Sequence, residues 1–167
     1  YSTEIGMGRD ASYLAHNIGG EWTISRHPRE QIIYTDLRDR LPMRGGSGYY
    51  RVRPIEAVDL YVVHYTAGSP SATVIDVARY QTGPTSHLPF PAIAYSLFVE
   101  EDGTLYWCHD FDRRTWGSDG LGVNERAVHA GFSGNVEPTE AQIAGLHIGR
   151  RLAERELGRT LTVEPHN

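Results

Sequence analysis

The chain has 167 residues, one domain's worth at about 100–200 residues per domain and long enough to bury a core without staples. Apolar residues make up 40% and charged residues 22%, which excludes wholesale disorder, and a net charge of −5 argues against a nucleic-acid-binding surface. Apolar runs extend only a few residues, so no transmembrane helix is expected, and the single cysteine, Cys108, leaves no internal disulfide.

Residues 1–50 are rich in glycine and polar residues, and their hydrophobic periodicity is weak. They read as a loop-rich extension punctuated at Gly19-Gly20 and Gly45-Gly46. Five arginines (Arg38, Arg40, Arg44, Arg51 and Arg53) stand against two aspartates between Asp36 and Arg53, a solvated face or a rim for an acidic polymer. All 16 basic residues are arginine, so no side-chain amine exists for a Schiff base or a lysine base. The sequence opens at Tyr1 with no signal-peptide pattern and stops at Asn167 without a closing element, which suggests a processed or trimmed chain.

From Ala57 the pattern sharpens. Val58, Leu60, Tyr61, Val62 and Val63 form a dense run that predicts a buried strand ending at His64. Ser69-Pro70 predicts a helix start, with the helix running to about Gln81 and stopping near Gly83-Pro84. Ile93 to Val99 predicts a second strand, Glu101-Asp102-Gly103 a hairpin turn, and Thr104 to Cys108 the returning strand. Gly117 to Asn124 reads as a glycine-rich loop and Ala127 to Phe132 as a strand. Thr139 and Gln142 form a capping-box signal for a helix ending near Gly158. That helix shows two apolar stripes, Ala141-Ala144-Gly145-Ile148-Leu152 and Ile143-Leu146-Ala153-Leu157, so both sides are expected to be covered. A short strand at Leu161 to Val163 precedes Pro165-His166. Strands alternating with helices predict an α/β fold: a mixed central sheet flanked by helices.

Three features carry chemistry. His64 sits where a buried strand gives way to a loop, the end at which ligands commonly bind. Tyr95 lies in a strand beside the Glu101-Asp102-Gly103 turn, and His166 follows the last element. His129 alternates with Val128 and Ala130 and points away from the face that holds Phe132. Cys108 reads as a small buried apolar residue, and His16, His27, His87 and His147 as solvated or structural.

The segments VVHYTAG (62–68), AYSLFVEEDGTLY (94–106), RRTWGSDG (113–120), NERAVHAGFSGN (124–135), PTEAQIAGL (138–146) and VEPHN (163–167), in this order, resemble the zinc-dependent N-acetylmuramoyl-L-alanine amidases of the phage-lysozyme and peptidoglycan-recognition-protein superfamily. The resemblance spans residues 56–167, which it implies form an amidase catalytic domain, with 1–55 an N-terminal extension packed on it. It implies hydrolysis of the amide joining the lactyl group of N-acetylmuramic acid to the L-alanine of the stem peptide. By matched position His64 and His166 are zinc ligands and Tyr95 is the catalytic tyrosine. Asn124, His129 and Trp116 become candidates for contact with peptidoglycan.

The chemistry is coherent. A catalytic zinc takes three protein ligands and leaves a position for water, whose pKa it lowers from about 16 to about 7. Two neutral imidazoles suit zinc, and a tyrosine hydroxyl can donate to the developing oxyanion. The family's third ligand, Cys or Asp, lies several residues beyond the second histidine. The resemblance therefore implies a natural chain that continues past Asn167 and supplies that ligand within about ten residues. Were it to end there, His129 would be the first substitute to examine. Gly131 stands near the position where one branch has a glutamate, Gly117 rather than histidine follows Trp116, and Ser96 rather than the common histidine follows Tyr95. The setting implied is the bacterial cell wall, with a phage endolysin or a bacterial autolysin as the source. Two alternatives remain: a non-catalytic peptidoglycan-recognition module on the same fold, and a virion or scaffold component assembled through residues 1–55.

Overall fold

The computed structural model describes residues 2–5, 11–18, 21–28, 31–45, 49–87 and 90–165. They fall into two compact units, Tyr1–Ile32 and Ile33–Asn167. In the first, β1 (Ser2–Ile5), β2 (Ala11–Ile18) and β3 (Glu21–Pro28) form an antiparallel sheet in that order. β2 and β3 pair along their full lengths, with Ile18 opposite Glu21. A sheet here departs from the expected loop-rich extension. The signal was in the sequence: aromatic and β-branched residues from Tyr13 to Ile24 flank Gly19-Gly20, a two-residue hairpin pattern.

The second unit is built on a six-stranded sheet in the order β4-β7-β6-β8-β5-β9. Its strands are β4 (Thr35–Asp36), β5 (Leu60–Tyr65), β6 (Leu97–Val99), β7 (Leu105–Trp107), β8 (Ala127–Phe132) and β9 (Thr162–Pro165). β6, β8, β5 and β9 run parallel, β7 is antiparallel to β6, and β4 is parallel to β7. The helices are α1 (Val74–Thr82), α2 (Leu121–Arg126) and α3 (Glu140–Leu157). This is the mixed α/β architecture expected from the sequence. Among the described residues no helix is long and apolar enough to cross a membrane.

β8 begins and ends where the alternation predicts. So does α3: Thr139 and Gln142 complete the reciprocal capping box, and Gly158 closes the helix at φ 66°, left-handed backbone that favours glycine. The two apolar stripes of α3, however, resolve into one buried face of Gln142, Gly145, Leu146, Gly149, Leu152, Ala153 and Leu157, and Ile143 is exposed. The centre of that face is glycine. A Cβ at Gly145 would lie 2.6 Å from both the Gly103 carbonyl oxygen and Val99, so only glycine lets the helix approach this closely.

Three elements are displaced from their predicted positions. α1 begins after Thr73, whose side chain and that of Asp76 form a capping box, while Ser69 to Ala72 make a turn. β6 is shorter than Ile93–Val99. The amide of Ala94 bonds to Gln81 Oε1 instead of a strand, so the ladder starts only at Leu97. α2 replaces part of the expected glycine-rich loop. Residues 33–55, grouped in the sequence reading with the extension, belong to the same compact unit as the sheet: β4 pairs with β7, and Val52 bridges to Arg113.

Alternation divides the sheet's two faces. Tyr61 donates its hydroxyl to the Leu146 carbonyl of α3. Leu60 and Val62 pack with Ala127 and Val123 on the other side, and Phe98 packs there with Val74 and Val77 of α1. His64 and His129 share this second face.

Candidate active site at the end of strand β5

His64 is the penultimate residue of β5, 5% exposed, and level with Gly131 of β8. That glycine makes room for an aromatic ring: a Cβ at Gly131 would lie 2.6 Å from the ring of Tyr95. Tyr95 thereby reaches His64, their ring centroids 5.6 Å apart and the planes tilted by 36°. The tyrosine is buried, which raises the pKa of its hydroxyl and keeps it a proton donor at neutral pH, and the Gln81 side chain hydrogen-bonds to it.

Behind His64 lies a polar chain. His64 Nε2 is 2.8 Å from His129 Nδ1, and His129 Nε2 is 2.9 Å from Asn124 Oδ1. Asn124 Oδ1 also accepts from the Ser118 amide at 3.1 Å, and its Nδ2 donates to the Ser118 carbonyl at 2.7 Å. The ring of His129 packs on Gly117, where any Cβ would collide with it. His129 and Asn124 are both buried, with partners inside the protein. Both were candidates for contact with peptidoglycan; their polar atoms engage Ser118, each other and His64. Trp116 is 44% exposed, its ring against Tyr50 at 5.7 Å and Phe90 at 6.2 Å between centroids, and it can meet a ligand.

Two further buried polar groups hold the chain around the site. Arg53 is 2% exposed and donates to the carbonyls of Phe111, Asn124 and Ala127, and burial lowers its pKa to about 10. It therefore does not belong to the solvated arginine rim. It ties the C-terminal turn of α2 to the chain ahead of β5, and no local pattern distinguishes it from its four arginine neighbours. His109 is buried between the Tyr49 hydroxyl at Nδ1 and the Ile93 carbonyl, 2.8 Å from Nε2, and desolvation lowers its pKa to about 4. Cys108 is buried and its thiol pKa is raised, in keeping with a small apolar core residue.

His166 lies outside the described residues, as does whatever it adds to the site. Among the described residues no group of three His, Cys, Asp or Glu clusters as a metal site. The surroundings of His64 nonetheless suit a zinc ligand. One ring nitrogen is anchored to a buried polar partner, the arrangement that orients metal-bound imidazoles.

A family model described as N-acetylmuramoyl-L-alanine amidase matches residues 54–153. The chain belongs to this family. The matched amidase region runs from just before β5 through most of α3. No curated protein matches by sequence. Among solved structures the chain is similar to the endolysin N-acetylmuramoyl-L-alanine amidase LysCS from Clostridium intestinale URNW (19% identity, TM-score 0.55, 77% of this chain and 82% of that one). It is similar to the Ph2119 endolysin from Thermus scotoductus MAT2119 bacteriophage Ph2119 (16%, 0.61, 78% and 84%). It is also similar to the Drosophila peptidoglycan recognition protein SD (15%, 0.62, 80% and 83%). At these identities the likeness is one of fold, and it spans amidases and recognition proteins of the same architecture.

Proposed function

We propose that the protein is a zinc-dependent N-acetylmuramoyl-L-alanine amidase acting on peptidoglycan at the bacterial cell wall, as an endolysin or autolysin. The observation that carries this reading is the pairing of His64, at the end of β5, with Tyr95 in a chain of the amidase family. His64 and His166 would hold the metal, which supplies Lewis acidity at the scissile carbonyl and activation of water. Tyr95 remains protonated and donates to the oxygen of the lactyl carbonyl as that oxygen gains negative charge. Water contributes hydroxyl to the lactyl carbon and a proton to the alanine nitrogen as the C–N bond breaks. Gly131 keeps Tyr95 against His64, and Trp116 offers an exposed aromatic face to the muropeptide.

The test combines zinc content by elemental analysis with clearing of a peptidoglycan suspension, with and without chelator. The expected result is bound zinc and clearing that chelation stops and added zinc restores. Muropeptide binding with neither zinc nor product would mark a recognition module. Large assemblies without either activity would mark a structural component.

A further inference from the structure

We propose that His129, locked by Asn124, is a positioning residue that fixes the tautomer of His64 and so presents Nδ1 as its metal-binding atom. The metal half of the inference rests on the zinc reading above; the tautomer half does not.

The backbone of Ser118 has only one way to bond an amide side chain. Its N–H needs an acceptor and its carbonyl needs a donor, so Asn124 turns Oδ1 to the first and Nδ2 to the second. The orientation of the Asn124 amide is thereby set. The atom it turns to His129 Nε2 at 2.9 Å is an acceptor, so Nε2 carries the proton. A neutral imidazole protonated at Nε2 is an acceptor at Nδ1. That atom lies 2.8 Å from His64 Nε2, which must therefore be the donor. Proton position passes along the chain from a main-chain group to the ring at the end of β5, and the in-plane lone pair of His64 falls on Nδ1. Metal-ligating histidines generally hold their second ring N–H in such a bond, most often to a carboxylate or a carbonyl. Here a second imidazole serves.

Packing supports a positioning role over a ligand role for His129. Its ring is fully buried, rests on Gly117, and uses its two nitrogens on Asn124 and His64. Moving its Nδ1 onto a metal would break the bond to His64 and take from His64 Nε2 its acceptor.

The test uses the full chain with 15N-labelled histidine, metal-free and at neutral pH. Long-range 1H–15N correlation spectra report which nitrogen of each ring is protonated. The expected result is His64 and His129 both protonated at Nε2. Protonation of His64 at Nδ1 in the wild-type protein overturns the proposal without need of any variant. His129→Asn keeps an oxygen near the position of Nδ1, whereas His129→Leu removes the acceptor. The leucine variant is expected to show mixed His64 tautomers and a 10–100-fold loss of zinc affinity, and the asparagine variant to recover most of both. Wild-type tautomers and zinc affinity in His129→Leu refute the idea, as does a zinc-induced shift that marks a His129 nitrogen as directly bound. Should the leucine variant not fold, the wild-type tautomer and the asparagine variant decide. A wild-type protein that binds no zinc but protonates His64 at Nε2 sinks the zinc reading and leaves the tautomer assignment standing.

Discussion

The two faces of the central sheet differ in how they use the residues that alternate along the same strands. On the α3 face, Val99 meets Gly145, and Leu97 and Leu105 meet Gly149, so the glycines let the helix lie close. On the opposite face the glycines serve side chains instead: Gly131 admits the Tyr95 ring and Gly117 the His129 ring. One face thus uses its closest contacts to seat the helix backbone on strand side chains and the Gly103 carbonyl, which stabilises. The other spends them on placing rings that carry protons. The division implies that damage to the first face should be read in stability and damage to the second in activity.

The sharpest test of this division is His64→Ala. Lysis is expected to be abolished and bound zinc to fall, while circular dichroism and the thermal midpoint change little; a variant with full zinc and the wild-type clearing rate breaks the comparison. Next is Tyr95→Phe, expected to keep muropeptide binding and zinc and to lose about 10²–10³-fold in kcat, the usual cost of one oxyanion donor. If instead it loses stability and keeps kcat, Tyr95 belongs with the packing residues.

His109 offers a subtler check, because it is a buried histidine outside the His64 chain. Its folded-state pKa, about 4, is below the ordinary value of 6.5, so the unfolded chain takes up the proton first. Stability from its burial is complete above pH ~6.5 and is lost as pH falls toward 4, with a slope approaching about 1.4 kcal/mol per pH unit. Urea unfolding across that window should show the slope in the wild type and a flatter profile in His109→Asn. Equal profiles would mean that His109 takes up a proton as readily in the folded protein as in the unfolded chain. The smallest effect is expected on the other face: Gly145→Ala should cost about 1–3 kcal/mol by overpacking against the Gly103 carbonyl and Val99, with kcat and zinc content unchanged. A fall in kcat at constant stability would show that the two faces are coupled.

Legibility in the sequence followed the range of the interactions. β8 and the ends of α3 were readable because alternation and capping are local, settled within a few residues. His64 was readable as a strand-end histidine for the same reason. The His64–His129 pair joins residues 65 apart, and Arg53 meets Asn124 across 71. Neither leaves a mark within a window of sequence. The first three strands were missed for another reason: their alternation is polar on both sides, and without a dense apolar run the Gly-Gly turn signal was read as punctuation. α2 was hidden by its glycines, and its ordering depends on a guanidinium from a distant segment.

Arg53 has a practical consequence for anyone who would cut this protein down to its family-matched part. The family likeness begins at residue 54. A fragment started at that boundary omits, by one residue, the cation that three buried carbonyls share. Each carbonyl left without a donor costs about 1–3 kcal/mol, and one of them belongs to Asn124, whose side chain steadies His129. The edge of the homologous region and the edge of the independently folding piece are therefore different places on this chain, and an expression boundary is better drawn upstream of Tyr50, whose hydroxyl anchors to the Ala92 carbonyl.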